Sequence, residues 1–258
     1  PSPWLPTLKS LLANRPFCLL CLGYVVLNIG AGITNATLIF FISHYLKEPA
    51  VIGPTLLASF GSVLLGVPLW VAVSRRIGKH RAAGVSLLIA ITLSGLLAMQ
   101  LKPGDGWLFV GLMALLGATS SAFLTLPLGI MGDVIDYDTL KSGETRGGLF
   151  FGFWGFFSQI SPAIAVGVTL PALEFLGFQA RGANTPEALQ ALRLVYCLAP
   201  IPFFIFGAWM FLAFPLDARR HGIVRRRLDQ RAARRPSAPE LSTASNAAPL
   251  AAKPSEVS

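Results

Sequence analysis

The chain has 258 residues, of which 53% are apolar and only 13% charged, with a mean hydropathy of +0.63. A soluble domain of this size carries about a quarter charged residues, so this balance excludes an ordinary water-exposed globule. The net charge of +9 does not read as a nucleic-acid footprint either, because eight of the 21 basic residues crowd between Arg219 and Arg235, just after the last apolar run. That placement suits a segment lying against anionic lipid.

In chain order, an amphipathic lead-in (Leu8-Lys9-Ser10-Leu11-Leu12, within residues 1–16) precedes six apolar runs. These are predicted as helices over about 17–46, 52–73, 82–100, 107–130, 148–176 and 189–214. Each is long enough, at 1.5 Å per residue, to cross a hydrocarbon layer of about 30 Å. In lipid every backbone polar group must be paired inside its own segment, so runs of this kind mean helices and the fold class is all-α integral membrane protein. The fifth run can be split at Pro162, but no hydrophilic connector separates the pieces, and six is the better count. A basic segment, 215–235, follows, and then a Pro-, Ala- and Ser-rich stretch, 236–258, whose composition predicts a disordered tail.

The connections set the orientation. Lys9 and Arg15, then Arg75, Arg76, Lys79 and Arg81, then Lys141 and Arg146, then the eight of the basic segment place sixteen cations on one side. Lys47, Lys102, Arg181 and Arg193 place four on the other. Both termini are therefore expected in the cytoplasm of a multi-pass protein of the cell's inner or plasma membrane. Cys18-Leu19-Leu20-Cys21 has redox or metal spacing, but no polar shell and no second pair accompany it, so these thiols and Cys197 read as core filling. The chain starts at Pro1 and reads as a piece of something longer.

Two connections carry motifs. The first is Ser74-Arg75-Arg76-Ile77-Gly78-Lys79-His80-Arg81, a short basic turn with a glycine. The second is Gly132-Asp133-Val134-Ile135-Asp136-Tyr137-Asp138-Thr139-Leu140-Lys141-Ser142-Gly143, followed by Arg146, Gly148, Leu149 and Phe150. Asp133 and Asp136, three apart, share one face if the fourth helix continues through them. They can be read as an acid/base pair or hard-cation ligands, as ionic contacts, or as plain solvated charges; nothing in the sequence completes a catalytic or metal set.

Along the spans, Asn28 and Asn35 are seven apart and nearly superimposed on one helical face, with Ala31 and Gly32 between them and Thr34 beside it. Such a face serves a cavity for hydroxylated solutes or, equally, close helix packing. Gln159, one turn after Gly155, can bond a neutral solute or a neighbouring helix. Thr119, Ser120, Ser121 and Thr125 can line the same cavity or bond their own i−4 carbonyls. His44 and Glu174 lie near helix ends. No span has an ionisable residue near its centre, although ion-coupled carriers usually bury carboxylates along the path.

Six spans with both ends inside resemble one half of the major facilitator fold. The acidic motif and the opening Leu8-Lys9-Ser10-Leu11-Leu12-Ala13-Asn14-Arg15-Pro16-Phe17 resemble the C-terminal half of the glycoside–pentoside–hexuronide:cation symporter family, typified by melibiose permease. The resemblance implies symport of a sugar or related small polar solute by alternating access, with no cofactor; a membrane enzyme is the weakest alternative, since the sequence holds no nucleophile–base set, no HExxH and no phosphate-cradling loop. A coupling cation, sodium or a proton, is implied, with its acids in an N-terminal half that this chain lacks and that would be its partner. It implies that Asp133, Asp136, Tyr137, Asp138, Lys141 and Arg146 form a cytoplasmic gate, contacting other loops beside the basic turn Arg75, Arg76, Gly78, Lys79 and Arg81. Asn28, Thr34, Asn35, Ser121 and Gln159 are the expected cavity residues. Thr145, Gly147 and Gln159 depart from the family, which often has Arg, Glu and Lys there, so its sugar and ion preferences do not transfer. Two rivals stand beside this reading: transport of another cargo such as a lipid, and a non-transporting sensor or remnant.

Overall fold

The structure is a computed structural model that describes residues 11, 13–144, 146–214, 226 and 230. Most of the lead-in, Thr145, nearly all of the basic segment and the whole tail lie outside the described residues. Among the described residues every regular element is a helix, and six helical stretches are long and apolar enough to cross a membrane.

Helix α1 spans Arg15–Phe40 and runs on through a π-helical turn, Phe41–Leu46. Asn14 caps its start by accepting the Phe17 amide at 3.3 Å, and Pro16 follows in the first turn, where its missing N–H costs nothing. A short 3₁₀ turn, Pro49–Val51, leads into α2, Ile52–Ile77. Gly78, at φ +92°, reverses the chain directly into α3, Lys79–Gln100, a backbone conformation that favours glycine. Helix α4, Gly106–Ser142, is 37 residues long and ends at Gly143, again with positive φ. Helix α5 covers Gly147–Phe175. The last stretch is two pieces, α6 (Pro186–Cys197) and α7 (Pro200–Leu212), because Pro200 supplies no N–H to continue the ladder.

Two differences from the sequence expectation matter. The fourth helix does not stop near Ile130 but carries the acidic motif within its last turns, so what reads as a loop is helix. At 1.5 Å per residue α4 is about 55 Å long, well beyond the membrane core, so its acidic end projects from the bilayer. The sixth span is broken at Leu198 and Ala199 and is not continuous.

The helices pack in a spatial order α5, α1, α7, α3, α4, α2, with α1 and α4 touching only lightly across the open side. The end helices are the least covered: 11% of the apolar stretch of α2 and 22% of that of α5 are buried, against 33–44% in the others. One core, around Leu20, Leu87, Met131 and Phe150, lies toward the Lys79 end of the bundle. A second, around Phe41, Leu101, Phe109 and Tyr196, closes the opposite end.

Candidate functional site

The acidic end of α4 is the hub of a polar cluster that joins four helices. Lys79, the first residue of α3, places its Nζ 2.7 Å and 2.9 Å from the two Asp133 oxygens and donates to the Gly129 carbonyl at 3.0 Å. The two side chains are 40% and 18% exposed, so the pair is partly screened by solvent. One turn and a half further, Asp138 is 8% exposed. Its Oδ1 accepts from Asn14 Nδ2 at 3.2 Å, and its Oδ2 lies 3.3 Å from the guanidinium of Arg146, itself 17% exposed. Arg146 sits at the start of α5 and also reaches Glu144 at 3.6 Å. A single carboxylate thus ties the beginnings of α1 and α5 to the end of α4, and Lys79 ties the beginning of α3 to the same helix.

This arrangement assigns the motif residues to different tasks. Asp138 pairs with Arg146 in a nearly buried position and Asp133 with Lys79 in a partly exposed one, and Gly78 makes the turn that delivers Lys79 to Asp133. Tyr137 and Ile135 are half-buried and pack against the core, and Asp136 is half-buried. Arg75, Arg76, Arg81 and Lys141 are exposed. The sequence marks both motifs but not their pairing. It also misses Asn14 as a partner of Asp138, although an asparagine just before Arg-Pro is a readable helix cap.

The expected cavity residues do not form one patch. Asn28 is half-buried and donates to the Tyr24 carbonyl at 2.8 Å. Asn35 and Gln159 are exposed, while Thr34, on another face of α1, leans back on the Gly30 carbonyl at 3.5 Å. Ser121 is 0% exposed and donates to Ala118 O at 2.7 Å, which puts it in the seam between α2 and α4 and away from any open face. Thr119, Ser120 and Thr125 likewise bond carbonyls three or four residues back.

Between α1 and α5 lies an aromatic seam whose Tyr24–Trp154 pairing the sequence does not announce. Tyr24 stacks on Trp154 with ring centres 3.7 Å apart; Ser158 donates to the Trp154 carbonyl at 2.7 Å, and its oxygen lies 3.4 Å from the Tyr24 hydroxyl. Asn28 lies one turn beyond Tyr24, and Gln159 directly follows Ser158. Gly32 lets the helices close, since a Cβ there would meet Ala165 Cβ at 2.6 Å. Every polar group in this seam is neutral.

Comparison with known proteins agrees with this architecture. The profile of the family described as MFS/sugar transport protein matches residues 1–218. The human sodium-dependent lysophosphatidylcholine symporter 1 is 26% identical over 83% of this chain and 39% of its own length. A Synechocystis protein named as an uncharacterized symporter is 26% identical over 89% of this chain and 43% of its own. The Bacillus subtilis symporter YnaJ, also uncharacterized, is 24% identical over 84% and 47%. The chain therefore spans less than half the length of the curated relatives it matches.

Proposed function

Because the chain belongs to the MFS/sugar transport protein family, a family of multi-pass membrane transporters, we propose that it acts as one six-helix half of a cation-coupled symporter for a neutral, hydroxylated solute of the glycoside class. The observation that carries the solute class is the α1–α5 seam. Tyr24, Trp154 and Ser158, with Asn28 one turn along α1 and the exposed Gln159 next to Ser158 in the chain, supply aromatic rings and uncharged donors and acceptors, which is the chemistry a sugar ring requires. No Asp, Glu, Lys or Arg lies near the middle of a described span to meet a charged cargo.

In this reading α2 and α5, the two least covered helices, are the flanks against which a second six-helix half docks. The halves rock about a site near the membrane midplane. The α4 cluster keeps this half rigid while it moves, and the exposed cations Arg75, Arg76, Arg81 and Lys141 are left to make and break contacts with the other half at the cytoplasmic face. The coupling cation, sodium or a proton, is held mainly by that other half.

A second reading is favoured by the names of the relatives in vertebrates: a lysophospholipid cargo with sodium. Uptake into proteoliposomes by the protein expressed from its full reading frame separates the two. Sodium- or proton-driven accumulation of radiolabelled glycosides is expected, lowered about tenfold or more by Gln159→Leu with membrane insertion unchanged. Sodium-driven uptake of lysophosphatidylcholine with none of any glycoside would replace the first reading by the second.

A further inference from the structure

At the end of the bundle opposite Lys79, a cationic recess opens beside α6. It has a volume of about 380 Å³ and is lined by Tyr45, Lys47, Pro103, Leu189, Gln190 and Arg193. Adjoining it through Gln190 and Arg193 is a second recess of about 380 Å³ between α3 and α6, whose other walls are Gly95, Ala98, Met99, Leu194 and Leu198. The first is polar and basic; the second is an apolar groove running toward the membrane interior.

Arg193 stands at the junction. It is seven residues into α6, so about 10 Å below the helix start at Pro186, the depth of a lipid headgroup and glycerol. One terminal nitrogen donates to the Ala98 carbonyl, one of the carbonyls that the end of α3 leaves without a helical donor. The guanidinium also lies 5.6 Å from the centre of the Tyr45 ring. That ring is itself fixed, by a 3.2 Å hydrogen bond to Leu101 O and by stacking on Phe41 at 5.0 Å. The cation is therefore held in place, yet a guanidinium has five N–H donors and the Ala98 carbonyl takes up one end of it. Among the described residues no carboxylate lies within ion-pair distance of Arg193 or Lys47. Glu187, on the first turn of α6, is exposed and does not line either recess.

We infer that these two recesses form a site for a phospholipid of anionic headgroup, its phosphate held by Arg193 and Lys47 and one acyl chain lying in the α3–α6 groove. Arginine's planar fork matches phosphate oxygens two at a time, and desolvation by the surrounding apolar wall strengthens the contact. Arg193 and Lys47 line the first recess and no carboxylate lines either one, which favours a lipid of net negative charge over a zwitterion. The small Gly95 and Ala98 leave the depth that an acyl chain fills. The lipid would brace α6 against α3 where the last span is broken, and it is an attached lipid, not cargo, so the inference does not rest on the solute assigned above.

The test uses the protein from its full reading frame, in detergent, examined by native mass spectrometry with dioleoylphosphatidylglycerol, dioleoylphosphatidylcholine and inorganic phosphate as separate probes. Phosphatidylglycerol is expected to be retained at one molecule per chain, and at least tenfold more tightly than phosphatidylcholine. Arg193→Lys, which keeps charge but not the fork, should weaken retention severalfold, and Lys47→Gln together with Gly95→Trp should weaken it tenfold or more. The last two substitutions alter an exposed side chain and an open groove, so they keep the test valid if Arg193 variants unfold. Equal retention of the two lipids, unchanged retention in the Lys47→Gln, Gly95→Trp protein, or displacement of the lipid by millimolar inorganic phosphate would overturn the inference.

Discussion

Replacing Asp138 by alanine is expected to destabilise the protein by about 3–5 kcal/mol, whereas replacing Asp133 by alanine should cost about 1 kcal/mol or less. The two carboxylates lie on the same helix within the same motif, and only their surroundings separate them. Asp138 is 8% exposed and accepts from Asn14 while facing Arg146. Its removal takes from the Arg146 guanidinium its most buried counter-charge, with the exposed Glu144 at 3.6 Å remaining, and leaves the cap residue of α1 without its anchor. Asp133 is paired with a lysine that is 40% exposed, so water takes over much of the lost interaction. Thermal titration in detergent measures both. Replacing Asp138 and Arg146 together by leucine and methionine should recover a good part of the loss, because the uncompensated charge disappears with the pair. An Asp138→Ala protein as stable as the parent but altered in transport would show instead that Asp138 meets the second half of the transporter and has no structural duty here.

The contrast between the two aspartates shows how far the sequence can be read. Six apolar runs and the crowding of cations on alternate connections make the membrane class legible, because lipid imposes helix length and backbone pairing with little ambiguity. The two charged motifs are legible as motifs. Their wiring is not: Lys79 and Asp133 are 54 residues apart, Asn14 and Asp138 124 apart, and only the packing of α3 and α1 beside α4 brings them together. The end of α4 was hidden for a simpler reason. Hydropathy marks where a helix leaves the hydrocarbon, and nothing in it says that the helix must stop there; the stop is at Gly143, whose positive φ ends the ladder. The cavity residues were hardest to place, since a serine or threonine in a span has the same composition whether it faces a cavity or bonds its own carbonyl. Ser121 does the second.

The seam that holds Ser121 carries the other large expected effect. Among the described residues helices α2 and α4 share the most extensive contact, and glycines on both sides permit it. A Cβ at Gly66 would press on the carbonyl oxygen of Ala118 and on Ser121 Oγ, with Ala118 Cα at 3.0 Å; a Cβ at Gly117 would press on the Ser59 carbonyl, with Ser59 Cα at 3.0 Å. Apart from Ser121 Oγ the obstructing atoms are backbone, which cannot rotate aside, and Trp70 Nε1 pins the same Ala118 carbonyl at 2.9 Å. Without a hydrophobic driving force between helices in lipid, such close backbone contact is the main source of their attraction, so separating them loses dispersion along the whole seam. Gly66→Ala or Gly117→Ala is therefore expected to lower stability by about 1–3 kcal/mol, and Gly66→Leu to abolish the monodisperse folded protein on size exclusion. The control is Gly61, on the same helix with nothing within 4 Å of its would-be Cβ. There alanine should be neutral or slightly stabilising, because it removes glycine's helix penalty of about 1 kcal/mol without meeting a neighbour. Equal effects at Gly61 and Gly66 would mean that the loss comes from the helix itself and that α2 and α4 do not approach as closely as these glycines allow.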